Sequence, residues 1–492
     1  MSKLSNYREG NRLEAKKAAG GLPDSIWETY SAFANTNGGV ILLGVEEKSD
    51  KSLNPIGLAD PERLVKQFWD NLNNAQKINV NILKNDDVTI AKANAAKIVK
   101  IDIPRADRHA RPIYIGTDPF KGSYRRNGEG DYRCHPDEVR NMFRDQSNNS
   151  MDQIALDYLT PNAFDYDTVN RYRNRLRADK PEHVWIEAPN QEFLLRLGAL
   201  VEDENGKMRP TAAGLLMFGY EYYIVREFPQ YFLDYQENDG TNERWTDRFI
   251  SSSSDWSGNL YDFYYKALNR LTQDVKVPFK IGAGATRIDE TPVHRALGEA
   301  LANALVNTNY YERMGLVVKK WPGVITIANP GGFRIPLEKA LAGGHSDPRN
   351  ATLLKLFNML GVGERSGSGI PKVFSVWRDE NWGPPHFEEE FSPERTVLTL
   401  PLNKTPTESI EKNLGRNVGK NLGKNVGKKA TKKQLAVLKI IQENPDTSTY
   451  AIAVALKISP QAAFGRIKTL KNKNIIRRIG PANGGYWEII SD

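Results

Sequence analysis

The sequence predicts an α+β protein built from several domains. Its 492 residues are too many for one hydrophobic core. Helical and strand-like patterns alternate over most of the chain, and the composition changes three times along it. These observations divide the sequence into four segments, 1–147, 148–402, 403–431 and 432–492.

The composition favours a globular protein of a reducing compartment. Hydrophobic residues make up 39% and charged residues 26%, and no apolar run reaches the roughly 18 residues that span a bilayer. The N-terminal residues lack the apolar core of a signal peptide. Cys134 is the single cysteine, which excludes an intramolecular disulfide framework. No C-x-x-C or H-x-x-x-H pair points to structural zinc. We therefore expect a cytoplasmic protein.

The net charge of +8 is concentrated at the C-terminal end. Residues 404–492 hold 17 Lys and Arg against 6 Asp and Glu, a net +11, which leaves −3 for the first 403 residues. A local positive block gains affinity for nucleic acid by releasing counterions from phosphates. The charge distribution therefore predicts a nucleic-acid partner for this end.

The first segment reads as a mixed α/β domain. The stretches SIWETYSAFAN and PERLVKQFWDNL are helical patterns, while GVILLGV and AKIVKIDIP are strand patterns. Between the first helix and its strand, Gly38 and Gly39 permit a chain reversal, and Asn35 or Asn37 tolerates a left-handed turn. The turn lacks the Lys-Ser/Thr of a phosphate-binding loop, so we predict a structural role.

The other segments have their own patterns. The second contains the helix VHRALGEALANALVNTNYYE, the strand GVITIANP and the glycine-rich ERSGSGI. The third repeats NLGR-NVGK-NLGK-NVGK, in which glycine at every fourth place disfavours a helix, and it reads as a flexible basic linker. The last segment has three helical stretches followed by two strands around a glycine-rich tip, which is the winged helix-turn-helix pattern.

The first segment resembles the Schlafen-type AlbA-like domain. The resemblance rests on REGNRLEAKKA (8–18), SAFANTNGGVILLGVEE (31–47), RPIYIG (111–116) and YRRNGEGDYRCHPDEV (124–139). It implies an α/β fold that binds nucleic acid.

Nuclease members of the Schlafen family imply a further site. In them, two glutamates five positions apart and a third acid after the strand form a metal-assisted ribonuclease centre. Glu9 and Glu14 have that spacing, Glu47 (or Glu46) takes the third place, and Lys16 would stabilise charge on the phosphate. Three converging carboxylates would hold Mg²⁺ or Mn²⁺. The alternative is that these acids are solvated or form ion pairs with Arg8, Arg12 and Lys17.

The second segment resembles the ATP-binding half of the GHKL superfamily, which implies an α/β sandwich. There a helix supplies Glu-x-x-x-Asn, and Glu299 and Asn303 have this spacing, as candidate water-activating base and Mg²⁺ ligand. The family's Asp-x-Gly-x-Gly reads adenine, and here Asn329 replaces the Asp, followed by Pro330, Gly331 and Gly332. The resemblance implies ATP with Mg²⁺ as the ligand.

Two more features of this segment belong to the same resemblance. In ERSGSGI, Gly367 and Gly369, with Ser366 and Ser368, would offer backbone N–H groups to phosphates. Arg349 and Asn350 would close a lid or position phosphate, although a helix N-cap explains Asn350 equally well. The His-Arg-Asp-Tyr expected after the Asn helix is reduced to Tyr310, so ATP hydrolysis is left open.

The winged helix places candidate nucleic-acid contacts on its recognition helix and wing. A helix-turn-helix reads the major groove with its second helix, here SPQAAFGRIKTLKNK. The candidates are Ser459, Gln461, Arg466, Lys468, Lys471 and Lys473 on this helix, and Arg477, Arg478 and Asn483 on the wing. A winged helix that binds protein is the alternative, but residues 430–492 carry a net +6, which favours nucleic acid.

The sequence thus favours a regulator of transcription in which ATP binding modulates nucleic-acid binding.

 The protein would bind DNA as a homodimer, since winged helices usually bind paired half-sites. The first alternative is a Schlafen-like metal-dependent nuclease that cuts tRNA or single-stranded DNA in phage defence. The second is an interaction scaffold that binds neither ATP nor DNA tightly, for which the salt dependence of DNA affinity would be flat.

Overall fold

The computed structural model describes residues 10–93, 96–240, 244–273, 275, 291–363, 367–391, 393–403, 431–443, 447, 452, 456, 460–473, 475–479 and 486–489. These residues form two compact units. One comprises the described residues up to Phe374 together with His386–Thr399, and the other comprises Ser375–Pro385 and the described residues from Leu400 onward. The α+β multidomain class predicted from the sequence is confirmed.

The N-terminal region is built on a four-stranded sheet of order β1-β2-β6-β5. Strands β1 and β2 are parallel, and the other neighbours are antiparallel. Two short hairpins, β3–β4 and β7–β8, lie outside this sheet. The strands are β1 (Leu13–Lys16), β2 (Gly39–Leu43), β3 (Val45–Glu47), β4 (Leu53–Pro55), β5 (Val88–Ala93), β6 (Ala96–Ile103), β7 (Tyr124–Asn127) and β8 (Gly130–Arg133). The helices are α1 (Ile26–Asn35), α2 (Pro61–Leu72), α3 (Pro119–Gly122) and α4 (Pro136–Gln146).

The predicted turn after α1 is structural, but its left-handed residue differs from the prediction. Gly38 has φ +66°, and a Cβ there would lie 2.7 Å from the Ile103 carbonyl oxygen. The expectation that Asn35 or Asn37 takes this conformation is wrong, since neither has a positive φ. Instead the buried Asn35 amide donates to the carbonyl oxygens of Ile113 (2.8 Å) and Tyr124 (3.0 Å). Asn35 therefore ties α1 to two later segments.

The middle of the chain adds helices and a larger sheet. The small hairpin β9–β10 is followed by a six-stranded sheet of order β12-β11-β13-β14-β16-β15. The strands are β9 (Leu200–Glu202), β10 (Met208–Pro210), β11 (Leu233–Glu237), β12 (Asp247–Ile250), β13 (Leu316–Trp321), β14 (Val324–Pro330), β15 (His386–Phe391) and β16 (Glu394–Pro401). The helices are α5 (Tyr166–Asp179), α6 (Asn190–Leu197), α7 (Ala212–Phe218), α8 (Glu221–Glu227), α9 (Leu260–Thr272), α10 (Pro292–Asn307), α11 (Leu337–Ala342), α12 (Ala351–Met359) and α13 (Gly369–Asp379).

Helix α10 forms where the sequence predicts a helix and covers the larger sheet, but it ends at Asn307 and not at the predicted Glu312. Thr291 caps its start by accepting a hydrogen bond from the His294 backbone N–H, and Pro292 occupies the first turn. Its apolar side chains, among them Leu297, Leu301 and Leu305, are fully buried. Because α10 contacts α9, α12 and β14, the helices and the sheet form two layers. This packing fixes the direction in which Glu299 and Asn303 point.

The C-terminal region has the elements of a winged helix. Helix α14 (Lys432–Glu443) packs on α15 (Pro460–Asn472), and β17 (Ile476–Ile479) pairs with β18 (Tyr486–Ile489). Their apolar side chains share a core that includes Leu438, Ile467 and Trp487. Only Thr447, Ile452 and Leu456 of the predicted middle helix are described, and the predicted linker lies almost wholly outside the described residues. No helix in the described ranges is long and apolar enough to cross a membrane.

Candidate functional site

One cavity collects most of the residues that the sequence marks in the second segment. It lies among α10, the ends of β14 and β16, the chain between 332 and 348, and the start of α13. Its cavity volume is about 120 Å³, which is more than a single water molecule needs. Asn303, Asn329, Gly332, Gly367 and Gly369 all line it.

Glu299 and Asn303 lie one turn apart on α10 and contact each other. The Asn303 amide nitrogen Nδ2 donates to Glu299 Oε1 at 3.2 Å, and Glu299 Oε2 accepts from the Gly363 backbone N–H at 3.0 Å. Asn303 lines the cavity, whereas Glu299 is not among the lining residues. The arrangement makes Glu299 a support for Asn303, and its predicted role as a base stays a prediction.

The glycines at the start of α13 are required by close packing. A Cβ at Gly369 would collide with Glu299 and lie 2.9 Å from Asn303 Nδ2. Gly367 has φ +68°, and a Cβ there would collide with the His345 carbonyl oxygen. The backbone of this loop can therefore approach α10 and a cavity ligand closely. Ser368 is described, but Ser366 lies outside the described residues.

Asn329 and a residue that the sequence reasoning missed, Thr396, line the cavity together. Asn329 is 6% exposed, and its amide donates to the Pro330 carbonyl at 3.3 Å. Thr396 on β16 donates its hydroxyl to the Gly331 carbonyl at 2.8 Å. Burial alternates along β16, so Thr396 shares the buried face with Leu398. The alternating pattern of this strand places a polar residue on the buried face, and this pattern could have identified Thr396 from the sequence.

The two glycines after Asn329 are explained by charged side chains beneath the turn. Gly331 has φ +93°, and a Cβ there would lie 3.0 Å from the Arg349 guanidinium. A Cβ at Gly332 would lie 2.6 Å from Glu394 and 2.8 Å from Glu389. Gly332 lines the cavity and Gly331 does not. These glycines therefore shape the turn whether or not a ligand is bound.

Arg349 and Asn350 both lie outside the lining of the cavity. Arg349 is buried, donates to the carbonyls of Asn307 (3.1 Å) and Gly332 (3.2 Å), and pairs with Asp145, and it is not among the cavity-lining residues. A role on phosphate is therefore not supported by its position. Asn350 does occupy the N-cap position of α12, but without a capping side-chain bond.

The cap of α12 comes from elsewhere in the chain. Asp152 accepts from the Leu353 N–H at 2.8 Å, and Ser150 accepts from the Ala351 N–H at 3.0 Å. The Asn350 side chain instead donates to the carbonyls of Val306 (2.9 Å) and Thr308 (2.8 Å). It thereby fixes the C-terminal end of α10, two turns or less from the cavity residues.

The candidate nuclease carboxylates that are described form separate ion pairs. Glu14 accepts from Arg126 Nη2 at 2.8 Å and from Lys16 Nζ at 3.1 Å. Glu47 pairs with Lys51 at 3.4 Å. Glu46 pairs with Lys17 at 2.6 Å, and this hydrogen bond holds the pKa of Glu46 below its usual value.

The structure describes two of the three predicted metal ligands, Glu14 and Glu47. Glu9 lies outside the described residues. Among the residues that the structure describes, no group of three or more His, Cys, Asp or Glu side chains is placed to hold a metal ion. Lys16, predicted to act on phosphate, donates to Glu14 and to Ser25 Oγ at 3.1 Å. The described geometry favours the alternative of ion pairing, although the partners of Glu14 and Glu47 differ from those expected.

The candidate nucleic-acid contacts divide into exposed and engaged side chains. Lys468 is exposed and Arg466 is half-buried on α15. Lys471 lies over the Trp487 ring at 5.3 Å, Lys473 donates to Gln434 at 3.3 Å, and Arg477 pairs with Glu488. Ser459 and Asn483, and the side chains of Gln461 and Arg478, lie outside the described set.

Comparison with known families matches four parts of the chain, while residues 235–316, which include α10, lie outside these matches. The Schlafen, AlbA_2 family matches residues 9–135, and a domain of unknown function, DUF8451, matches 140–234. The family described as "Putative ATP-dependent DNA helicase recG C-terminal" matches 317–400, and a winged helix-turn-helix DNA-binding family matches 431–477. The chain therefore combines an AlbA-like region, an ATPase-like region and a winged helix, as predicted.

Whole-protein comparisons add little to this assignment. The search of curated proteins gives no match. The crystal structure of the DIP2311 protein from Corynebacterium diphtheriae aligns with 98% of this chain and 95% of the DIP2311 chain. The sequence identity is 16% and the TM-score is 0.39. The second structure is the N-terminal domain of a "Putative ATP-dependent DNA Helicase RecG-related Protein" from Nitrosomonas europaea. It aligns with 27% of this chain and 94% of that domain, at 24% identity and a TM-score of 0.21. Both TM-scores lie below 0.5, so neither similarity establishes the fold of this chain.

Proposed function

We propose that this protein is a regulator that binds ATP with Mg²⁺ in the cavity and binds DNA through its winged helix. The observation that carries the proposal is convergence. Asn303, Asn329, Gly367 and Gly369 come from three separated segments and line one cavity. The order of these residues in the sequence resembles that of a nucleotide-binding superfamily. Their position around one cavity supports that resemblance.

The residues present fit a purine nucleotide with a divalent cation. The Asn303 amide uses its nitrogen on Glu299, so its oxygen Oδ1 is the atom that a Mg²⁺ ion would use. Asn329 and Thr396 offer amide and hydroxyl groups of the kind that hydrogen-bond a base edge. The backbone at Gly367 and Gly369 would approach the phosphates. The proposal covers binding and not hydrolysis, because the Glu299 carboxylate accepts hydrogen bonds from Gly363 and Asn303 and does not line the cavity.

Nucleic-acid binding rests on the basic C-terminal end and on the winged helix. Lys468 and Arg466 on α15 would contact DNA, and the AlbA-like region would add a second nucleic-acid surface. ATP binding would then shift the protein between states of different DNA affinity. Homodimer formation remains a prediction, which light scattering of the purified protein with and without DNA would check.

Isothermal titration calorimetry tests the nucleotide claim. Full-length protein titrated with ATP and Mg²⁺ should release or absorb heat, and Asn303→Ala should lose at least tenfold in affinity. Asn174→Ala, which changes an asparagine of α5 outside the cavity, is the matched control and should bind as the wild type does. If the wild-type protein gives no binding heat and no thermal stabilisation with ATP, the nucleotide proposal is wrong.

A further inference from the structure

The AlbA-like and ATPase-like regions meet at a cluster of charged side chains, which we call the junction cluster. It holds five arginines and four carboxylates, namely Arg105, Arg108, Arg111, Arg334, Arg349, Asp145, Asp347, Glu389 and Glu394. Burial lowers the pKa of Arg111 and of Arg334 to about 10 and raises the pKa of Glu394. Charges this far removed from water need well-placed partners, so the positions of these side chains are strongly coupled.

Arg108 joins the AlbA-like region to one wall of the cavity. Its Nε lies 2.5 Å from Asp347 Oδ2, and its Nη1 donates to the carbonyls of Asp145 and Ser147. Asp347 lines the cavity with its neighbours Ser346 and Pro348. Arg108 itself is 8% exposed and is not among the lining residues. It can therefore influence a ligand only through Asp347 and the chain around it.

Arg105 reaches a second wall in the same way. Its Nη1 pairs with Glu389 Oε2 at 2.7 Å, and its Nη2 donates to the Phe333 carbonyl at 3.2 Å. Glu389 Oε1 also accepts from the Phe333 N–H at 2.8 Å, so both backbone polar groups of Phe333 are held. Phe333 lines the cavity directly after Gly332. The segment 104–111 thus contacts two separate parts of the cavity wall.

We propose that Arg108 and Arg105 are positioning residues of the cavity, so that a purine nucleotide bound there and the segment 104–111 of the AlbA-like region stabilise each other. This inference rests on the proposed nucleotide binding. It adds that the AlbA-like region affects nucleotide affinity through the contacts of Arg105 and Arg108 with the cavity wall. Thermodynamic linkage makes the effect reciprocal: a segment that improves nucleotide affinity is itself stabilised by the nucleotide. The ATPase-like region alone would bind nucleotide more weakly than the full chain does.

A double-mutant cycle on the full-length protein tests this route. The affinity of a non-hydrolysable ATP analogue with Mg²⁺ is measured for the wild type, Arg108→Met, Asp347→Asn and the double variant. We expect Arg108→Met to weaken binding by roughly tenfold, within the range usual for coupled sites. In the Asp347→Asn background the same substitution should have a smaller further effect, because the ion pair between the two side chains is already removed. Arg140→Met, which removes an exposed arginine paired with Asp137, is the control and should bind normally.

Hydrogen exchange distinguishes coupling to the ligand from a purely structural role, because only coupling makes exchange in segment 104–111 depend on the nucleotide. Adding the ATP analogue to the wild type should slow exchange of the amides in segment 104–111, and Asp347→Asn should abolish this protection while remaining folded. The Asp347 side chain is 27% exposed, so this variant is the one expected to fold if Arg108→Met does not. No nucleotide binding by the wild type overturns the proposed function. Normal binding by Arg108→Met, or ligand-independent exchange in 104–111, overturns this inference alone.

Discussion

Glu14 in the AlbA-like region and Asn303 in the ATPase-like region were singled out by the same kind of signal, two polar residues at a fixed spacing. The structure treats them differently. Glu14 is bound by Arg126 and Lys16, whereas Asn303 lies on a cavity that residues from other segments also line. The difference teaches that spacing alone does not identify a site. Neighbours from distant segments decide whether polar residues stabilise a fold or face a ligand.

Loss of Arg126 should have the largest effect and should test the structural side of this comparison. Its side chain is 1% exposed and pairs with Glu14 and Asp131, each at 2.8 Å. Arg126→Met would leave two mostly buried carboxylates without their main partner, which costs about 3–5 kcal/mol. Hydrogen exchange of the β1 and β2 amides would measure this loss as faster local opening.

The matched control for Arg126 is an exposed lysine of the same region. Lys51 pairs with Glu47 and Glu129, but its side chain is 48% exposed. Lys51→Met should leave exchange in β1 and β2 unchanged, because exposed ion pairs contribute little. Equal exchange rates for Arg126→Met and the wild type would contradict a structural role for the Glu14 ion pair.

Gly369 tests the other side of the comparison, where the effect should fall on binding. A Cβ at this position would press on Glu299 and Asn303. Gly369→Ala should therefore displace Asn303 and weaken ATP binding at least tenfold, equivalent to about 1.4 kcal/mol, as measured by calorimetry. Gly20→Ala is the control, since a Cβ there meets open space. Wild-type affinity in Gly369→Ala would show that Asn303 is not a ligand-binding residue.

A smaller effect is expected for the winged helix, where a single exposed charge changes. Lys468→Ala should weaken DNA binding a few-fold and reduce the slope of log affinity against log salt by about one, as for the loss of one phosphate contact. Fluorescence anisotropy with a DNA duplex at several salt concentrations measures both. Gln442→Ala on the exposed face of α14 is the control. An unchanged salt slope for Lys468→Ala would remove this lysine from the DNA interface.

The sequence predicts local elements and their order better than it predicts long-range partners. Helix α10 follows from its cap, its apolar face and its length, so the direction of Asn303 was predictable. Arg126 was not, because it comes from a hairpin 112 residues after Glu14. Asn350 shows the same limit: its N-cap position followed from the local sequence, but its side-chain partners lie on α10. A buried polar group takes the partner that the tertiary fold provides.

The smallest effect concerns Glu46, and it separates an ion pair from a metal ligand. The hydrogen bond from Lys17 lowers the pKa of Glu46, so this pair stabilises the fold above the ordinary carboxyl pKa and ceases to do so as pH falls through the lowered value. Glu46→Gln should therefore be slightly less stable than the wild type at pH 7, and the difference should disappear as the pH falls below the lowered pKa of Glu46, as measured by urea unfolding monitored at the β3–β4 hairpin. Added Mn²⁺ should change neither protein. If Mn²⁺ stabilises the wild type and not Glu46→Gln, then Glu46 is a metal ligand, and the carboxylates of the AlbA-like region form a site as well.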